Sequence, residues 1–465
     1  MRILILYPGL FEERRRLVEG FRWQLRLTGT KIVLADECLH AGDEKAFSDV
    51  LLLPPAENAI EAWEVLARYL ERYPVDGIIA QSEPSLLLGA RAAREFDLPG
   101  PTVESVLASV NKFDSRTRLQ AAGVAQPSFA LVHDAAGIRR FAREFGWPVV
   151  IKATASSRQR LVLCVNGEQD VEAATLQMHA GLPHAKDIQR LVAFAELEGT
   201  DLGLDPLRDF LVESFQDGLP LECDAMLSGT TPHWFGVCEQ LPSERPGFFI
   251  EGYLLPGRLT EAQQDTVLQT ARAAVRALGL AHTGVSVELR LDDMAPYIIE
   301  VNGRLPWDDG LHGLIEASTG CVPGAFALKV ALGKSLPKVK LRKHAALIYK
   351  CCYEEGMLDQ TPSPSEWKSS TAGTHAAWMF AKNGEHLLPG EHPDSRPHLA
   401  GVLSTDKKST ETALRLAQLA IDRVQLNITP LGNDVCIPQA KPADQRLPEL
   451  ATHTETPAAT PLPNH

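Results

Sequence analysis

The sequence predicts a multidomain chain of α/β and α+β class, led by a domain built on an open parallel sheet. Three observations carry this expectation. The chain has 465 residues, enough for two to four domains of roughly 100–200 residues each. Short apolar runs alternate with stretches of helical spacing through the first hundred residues, and strands separated by helices pair in parallel. From about residue 161 strand-like runs follow one another more closely, which suits antiparallel pairing.

In chain order, strands are expected at 2–7, 30–35, 50–53 and 75–80, with helices at 12–27, 58–73 and 84–96. The opening Arg2-Ile3-Leu4-Ile5-Leu6-Tyr7 reads as a buried strand rather than a secretion signal. Its apolar stretch is short, and Glu12-Glu13-Arg14-Arg15-Arg16 follows at once. In open α/β sheets ligands sit beyond the carboxyl ends of the strands, here at Gln81-Ser82-Glu83-Pro84-Ser85. Helices at 103–110 and 114–122, the second closed by Gly123, lead to strands at 129–132 and 148–153 around a helix at 135–145. Strands follow at 161–165, 210–213, 222–227 and 233–239, then a helix at 261–278 and strands at 284–291 and 297–302. A smaller α+β unit begins near 341, with a helix at 410–423. The expected domains are 1–105, 106–340 with a small central domain at about 125–215, and 341–437. The tail 438–465 is rich in Pro, Thr and Ala and is expected to be disordered.

Composition excludes several classes of function. Hydrophobic residues make up 45% and charged residues 23%, so a sizeable core is available. The net charge of −13, without a basic block, disfavours nucleic-acid and anionic-membrane binding. No window of eighteen uncharged apolar residues occurs, so no membrane-spanning helix is expected. Neither Gly-x-x-x-x-Gly-Lys nor a Gly-x-Gly-x-x-Gly after a strand is present, which argues against a P-loop enzyme or an ordinary dinucleotide-binding dehydrogenase. The 8 cysteines show no C-x-x-C pair and several lie in apolar runs, as expected of reduced thiols in a cytoplasmic protein.

Three segments carry candidate chemistry. In the first, the runs 284–291 and 297–302 flank a turn-rich Asp-Asp-Met-Ala-Pro. A hairpin centred on Met294 sets Glu288 opposite Glu300 and puts Asn302 and Arg304 on the same face. Directly opposed like charges destabilise a sheet, so a cation should lie between them. Two carboxylates and an amide oxygen suit Mg²⁺ or Mn²⁺, although a solvent-facing hairpin would carry the same residues. The second segment supplies lysines. Lys152 ends the apolar strand Val149-Val150-Ile151, where a charge must reach an anion or water, and Lys112 lies between two helices. Read alone, each also suits a solvated surface. In the third segment, backbone groups at Glu213, Ser214 and Phe215 are candidates for pairing with an adenine, and Glu222 for taking ribose hydroxyls. An ordinary strand crossover would read the same.

In this order the segments resemble the ATP-grasp superfamily, over about residues 1–340. The resemblance rests on Lys112 with Gly123-Val124-Ala125-Gln126-Pro127, on Pro148-Val149-Val150-Ile151-Lys152, on Val212-Glu213-Ser214, and on Glu288 followed by Glu300, Asn302 and Arg304. Where many relatives carry glycines after the second lysine, this chain has Ala153-Thr154-Ala155-Ser156-Ser157. Within the superfamily the chain looks most like the L-amino acid ligases. The stretch Phe248 to Pro256, with Glu251, is similar to one lying near the attacking amine. Arg304-Leu305-Pro306-Trp307 is similar to a segment bordering the substrate pocket, and Asp308 and Asp309 have no assigned part.

The resemblance implies a multidomain ATP-grasp architecture using ATP and Mg²⁺. A carboxylate would take the γ-phosphate to give an acyl phosphate and ADP, and an amine would then displace phosphate to form an amide. Glu288, Glu300 and Asn302 would hold the metal, and Lys112 and Lys152 would offset phosphate charge. Arg304 would stabilise the acyl phosphate and Glu251 would serve the amine. The implied partners are amino acids, with a homodimer allowed. A ring-closing lactam-forming ligase, a biotin-carboxylase-like enzyme and a non-catalytic nucleotide-binding protein stand as alternatives.

Overall fold

A computed structural model describes residues 1–8, 29–40, 42–157, 160–243, 249–306, 310–365, 373–389 and 397–430. The expected helix at 12–27, the tail from 438, and Phe248, Trp307, Asp308 and Asp309 lie outside the described residues.

The N-terminal domain carries a parallel sheet of β1 (Arg2–Leu6), β2 (Lys31–Asp36), β3 (Asp49–Leu52) and β4 (Gly77–Ile79), in the order β3-β2-β1-β4. Ile3, Leu4, Ile5 and Leu6 are all buried, which is why the run is continuously apolar rather than alternating. Helix α1 (Ala59–Arg72) buries Ala59, Ala62, Leu66 and Leu70, an i, i+3/i+4 stripe. Helix α2 (Glu83–Glu95) starts from a capping box between Ser82 and Ser85. The Ser82 hydroxyl also donates to the Tyr7 carbonyl, pinning the helix entrance to the end of β1. Helices α3 (Val103–Val110) and α4 (Lys112–Ala121) follow, the second capped by Asn111, whose side chain accepts from the Phe113 N–H.

The central unit is an antiparallel sheet of β5 (Phe129–Val132), β6 (Val149–Ala153), β7 (Val162–Val165) and β8 (Phe210–Ser214), in the order β5-β8-β6-β7. It carries α5 (Ala135–Phe145), α6 (Val171–Gly181) and α7 (Lys186–Glu198). The last two have no counterpart among the expected elements. In α6 the apolar residues lie all round the helix, with Leu176 left 72% exposed, so no clean stripe marks it. One apolar cluster runs from Leu66 of α1 through Ile188 and Leu191 of α7 to Phe210 and Val212 of β8, joining the two units.

The remaining chain builds one eight-stranded sheet. Its strands are β9 (Leu219–Ser228), β10 (Thr231–Pro242), β11 (Ile250–Leu255), β12 (Gly284–Asp292), β13 (Ala295–Asn302), β14 (His344–Cys351), β16 (Thr374–Met379) and β18 (His398–Asp406), ordered β13-β12-β9-β10-β11-β14-β18-β16. The residues expected to form a separate unit at 341–437 therefore supply β14, β16 and β18 to the sheet that holds β12 and β13. A small sheet of β15 (Gly356–Gln360), β17 (His386–Leu387) and β19 (Asn427–Thr429) packs on the large one through a cluster of Leu358, Leu387 and Leu399. Helices α8 (Glu261–Ala277), α9 (Leu311–Thr319), α10 (Pro323–Ala331) and α11 (Thr410–Ile421) cover the large sheet. No single helix among the described residues is long and apolar enough to cross a membrane.

Candidate active site

The site grows from the register of three neighbouring strands. Glu222 on β9 pairs with Glu288 on β12, and Glu288 with Glu300 on β13. One step along, Asp224 pairs with Ser286, and Ser286 with Asn302. Cross-strand partners share a face, so carboxylates from three strands stand in a row on one face of the sheet. The hairpin differs from expectation at its tip. Asp292 pairs with Ala295, so the turn is Asp293-Met294, with Asp293 at φ 52°. A bulge between Glu288 and Leu289 then shifts the register by one residue, and beyond it Glu288 meets Glu300 as expected.

Burial pushes the Glu288 carboxyl up to about 8, with Glu300 and then Glu222 adding to the effect. Burial likewise raises Glu222 and Asp224. The Glu222 carboxylate accepts from Gln240 Nε2 at 3.0 Å and Ser286 Oγ at 2.9 Å, whereas the buried Asp224 Oδ1 has no hydrogen-bond partner. Glu222, considered above for ribose hydroxyls, thus lies in the carboxylate row beside Glu288.

Lys112, at the start of α4, reaches Glu300 Oε1 with its ammonium at 2.5 Å. Its backbone N–H donates to the Thr154 carbonyl at 2.7 Å, so the loop after Lys152 rests on the same helix end. Lys152 pairs with Glu213 Oε2 at 2.8 Å, and Arg116 grips the same carboxylate with Nε at 2.8 Å and a terminal nitrogen at 2.9 Å. Arg116 also donates to the Ile298 and Ile299 carbonyls at 2.8 Å, tying β8 to the hairpin. Burial would raise the Glu213 carboxyl, but Arg116 and Lys152 pull it down to about 2. β8 lies between β5 and β6, so Glu213 is flanked by strands on both sides. The Ser214 N–H is already bonded to the Ser128 carbonyl at 2.9 Å. Of the segment considered for adenine, Phe215 lies past the end of the strand.

Arg304 binds Glu83 in the first turn of α2, with Nε at 2.6 Å from Oε1 and a second nitrogen on the same oxygen. Gln81 accepts from the Leu305 N–H and donates to Thr283, so the end of β4 is sewn to the exit of the hairpin. A pocket opens here, lined among others by Glu83, Leu86, Lys112, Asp187, Glu300 and Arg304. Asn302 lines it as well. The Asp187 carboxylate holds both the N–H and the hydroxyl of Ser157, fixing the loop that follows Lys152. Glu251 is not among the pocket residues; its carboxylate accepts from the Tyr353 hydroxyl at 2.6 Å.

The donor set fits a hard divalent cation. Glu288 and Glu300 face one another with Asn302 beside them, and clustered carboxylates that raise one another's proton affinity are relieved by such a charge. Among the described residues no three His, Cys, Asp or Glu side chains converge as a complete ligand set. The remaining positions would fall to phosphate oxygens and water, as Mg²⁺ commonly takes them.

Sequence reasoning missed Arg116, Glu83 and Asp187. Arg116 lies in a polar helix with no apolar stripe to mark its buried side. Glu83 lay within the flagged sheet-edge segment but had no visible partner. Asp187 begins a helix that was itself not expected.

The model of the ATP-grasp N-terminal domain matches residues 26–100, and that of the ATP-grasp domain matches residues 145–306. The chain is 28% identical over 369 residues to the uncharacterized protein y4rH of Sinorhizobium fredii, covering 79% of this chain and 71% of that protein. It is 26% identical over 391 residues to carnosine synthase 1 of Mus musculus, covering 79% of this chain but only 44% of that relative. Among solved structures, the L-amino acid ligase from Bacillus licheniformis superimposes with a TM-score of 0.74 at 22% identity, covering 93% of this chain and 99% of that one, so the two share a fold.

Proposed function

Since the chain belongs to the ATP-grasp superfamily, we propose that it is an ATP-dependent carboxylate–amine ligase that joins an amino acid to an amine through an acyl phosphate. One observation carries the reading above the others. The facing carboxylates Glu288 and Glu300, with Lys112 on Glu300, are followed on the same strand exit by Arg304. Phosphoryl transfer is mostly positioning and charge neutralisation. A substrate carboxylate must approach an anionic γ-phosphate, and Arg304 supplies a fork for it.

Mg²⁺ held by Glu288, Glu300 and Asn302 would offset phosphate charge. Lys112 and Lys152 would add to this at the phosphates. The carboxylate oxygen bonds to the γ-phosphorus as the bond to the ADP oxygen breaks. The amine nitrogen then bonds to the acyl carbon, phosphate departs with the C–O electron pair, and the nitrogen gives up a proton. Glu251, held by Tyr353, is the candidate for receiving the ammonium or that proton. Likeness to carnosine synthase 1 and to the Bacillus ligase supports two amino acids as the partners, giving a dipeptide or a small peptide-like product.

The test uses purified protein, Mg-ATP and pairs of amino acids, with nucleotide and product mass followed together. ADP with a product lighter by one water than its two precursors supports the reading. AMP and pyrophosphate would overturn the acyl phosphate, and turnover that needs bicarbonate but no amine would identify a carboxylase.

A further inference from the structure

We propose that Arg190, on helix α7 of the central unit, is a catalytic residue that grips the transferred phosphoryl group and keeps the acyl phosphate in place for the amine. The inference rests on the ligase reading above and adds to it a residue outside the metal hairpin.

It starts from the walls of the pocket. The central unit contributes Ala155, Ser156, Asp187 and Arg190, and of these only Arg190 is cationic. Lys112 from the start of α4 and Arg304 from the exit of the hairpin line the same space. Three cations thus reach one pocket from three elements. Their side chains are only 10%, 15% and 14% exposed in the order Lys112, Arg190, Arg304, so solvent screens them little. A phosphoryl group in transfer spreads its charge over three equatorial oxygens and is stabilised mainly by positioned cations. Lys112 belongs to the metal ligand Glu300, and Arg304 serves the substrate carboxylate. Arg190 is the pocket cation to which the reaction has given no part.

The way Arg190 is held leaves it donors for an anion. One terminal nitrogen donates to Asp187 Oδ1 at 3.0 Å. The other lies 2.7 Å from Glu57 Oε1, a charge contact without hydrogen-bond alignment, since that oxygen has no hydrogen-bond partner among the described residues. Nε is buried and has no hydrogen-bond partner among them either. A buried N–H of this kind is costly unless an acceptor meets it, and a phosphate oxygen in the pocket is such an acceptor. The loop after Lys152 is less able to help at its far end. Ser157 directs both its N–H and its hydroxyl to Asp187, at 2.8 and 2.7 Å. One carboxylate therefore fixes the loop end and the guanidinium relative to each other. If water reaches the acyl phosphate, its oxygen bonds to the acyl carbon, phosphate departs with the C–O electron pair, and the free acid returns with ATP consumed. A cation on the central wall holds the phosphate and closes that side to water.

The experiment follows ADP and hydroxamate together, with Mg-ATP, hydroxylamine as the trapping amine and each protein amino acid in turn. For the amino acid that turns over fastest, the wild type should form one hydroxamate per ADP. Arg190→Gln should lower kcat/KM for ADP release by roughly ten- to a hundredfold, the range of one charge-assisted hydrogen bond, and should release several ADP per hydroxamate. Arg190→Lys keeps the charge without the fork. It should fall between the two, and it covers the case in which the glutamine variant does not fold. Glu198→Gln tests docking alone. Glu198 accepts from Arg91 and Arg94 at the far end of α7, so its loss loosens the same helix without touching the pocket, and the ratio should stay at the wild-type value. An Arg190→Gln protein that still forms one hydroxamate per ADP, at whatever rate, would overturn the proposal. Equal uncoupling in Glu198→Gln would do the same, because Arg190 would then act only through docking. ADP release that is the same with and without any amino acid would overturn the ligase reading and this inference with it, whereas a coupled wild type beside an equally coupled variant overturns the inference alone.

Discussion

Replacing Arg116 by Met should loosen the central unit from the catalytic hairpin. The substitution keeps the stem and removes the fork that joins Glu213 to the Ile298 and Ile299 carbonyls. Arg116 and Glu213 are 4% and 3% exposed at their side chains, so screening by solvent is slight. A carboxyl held from its ordinary 4.5 down to about 2 corresponds to about 3 kcal/mol, which Arg116 and Lys152 supply together. Two orphaned carbonyls add to the loss, and breaking one side of a buried ion pair commonly costs about 3–5 kcal/mol. The depressed value also fixes the sign with pH. The contribution is fully present above about 4.5 and is lost as pH falls through about 2, so the gap between the two proteins should be flat from neutral pH to about 5 and close in stronger acid. Urea unfolding over a pH series measures the gap, and hydrogen exchange of β8 amides reads the local opening. A variant within about 1 kcal/mol of wild type at pH 7, or a gap that widens in acid, would refute the reasoning.

Three further outcomes can be checked directly. Glu300→Gln should abolish phosphate release with little change in far-ultraviolet circular dichroism; retained turnover would remove Glu300 from the metal site. Lys152→Ala should weaken ATP binding by roughly ten- to a hundredfold, as read by calorimetry, and unchanged affinity would take Lys152 off the phosphates. Because Glu288 is pushed up to about 8, a divalent cation must displace its proton below that pH. Mn²⁺ affinity should therefore rise from pH 6 to about 8 and then level off, and Glu288→Gln should flatten the rise.

Much of the fold was legible because its strands and helices have clean periods. β5 and α5 begin and end where spacing put them, at Phe129–Val132 and Ala135–Phe145. α6 was not legible, because its apolar residues are spread around the helix, and neither was the continuation of the large sheet through β14, β16 and β18, because pairing between distant strands leaves no local mark. Opposition of Glu288 and Glu300 followed from a two-residue period, although the register assumed at the tip was one residue off. That Glu222 stands beside Glu288 was not legible, because the pairing of β9 with β12 joins residues 66 positions apart. The Arg116 fork and the Glu83–Arg304 pair join residues that are 97 and 221 positions apart, a relation that only the folded chain reveals.

The bulge beside Glu288 separates folding from chemistry within a single residue. Without it, the two-residue turn would bring Ile299 opposite Glu288 and send Glu300 through the sheet to the other side. Deleting one residue between the tip and Glu300 would let the same ladder close without the bulge, with Glu300 still opposite Glu288. A full-length chain pairing without the bulge would instead cost Lys112 its anion and the carboxylate row its third member. Alignments of related chains should therefore be anchored at the carboxylates and not at the turn, since an insertion at the tip can be absorbed there while a one-residue change on the carboxylate side of the bulge silences the site.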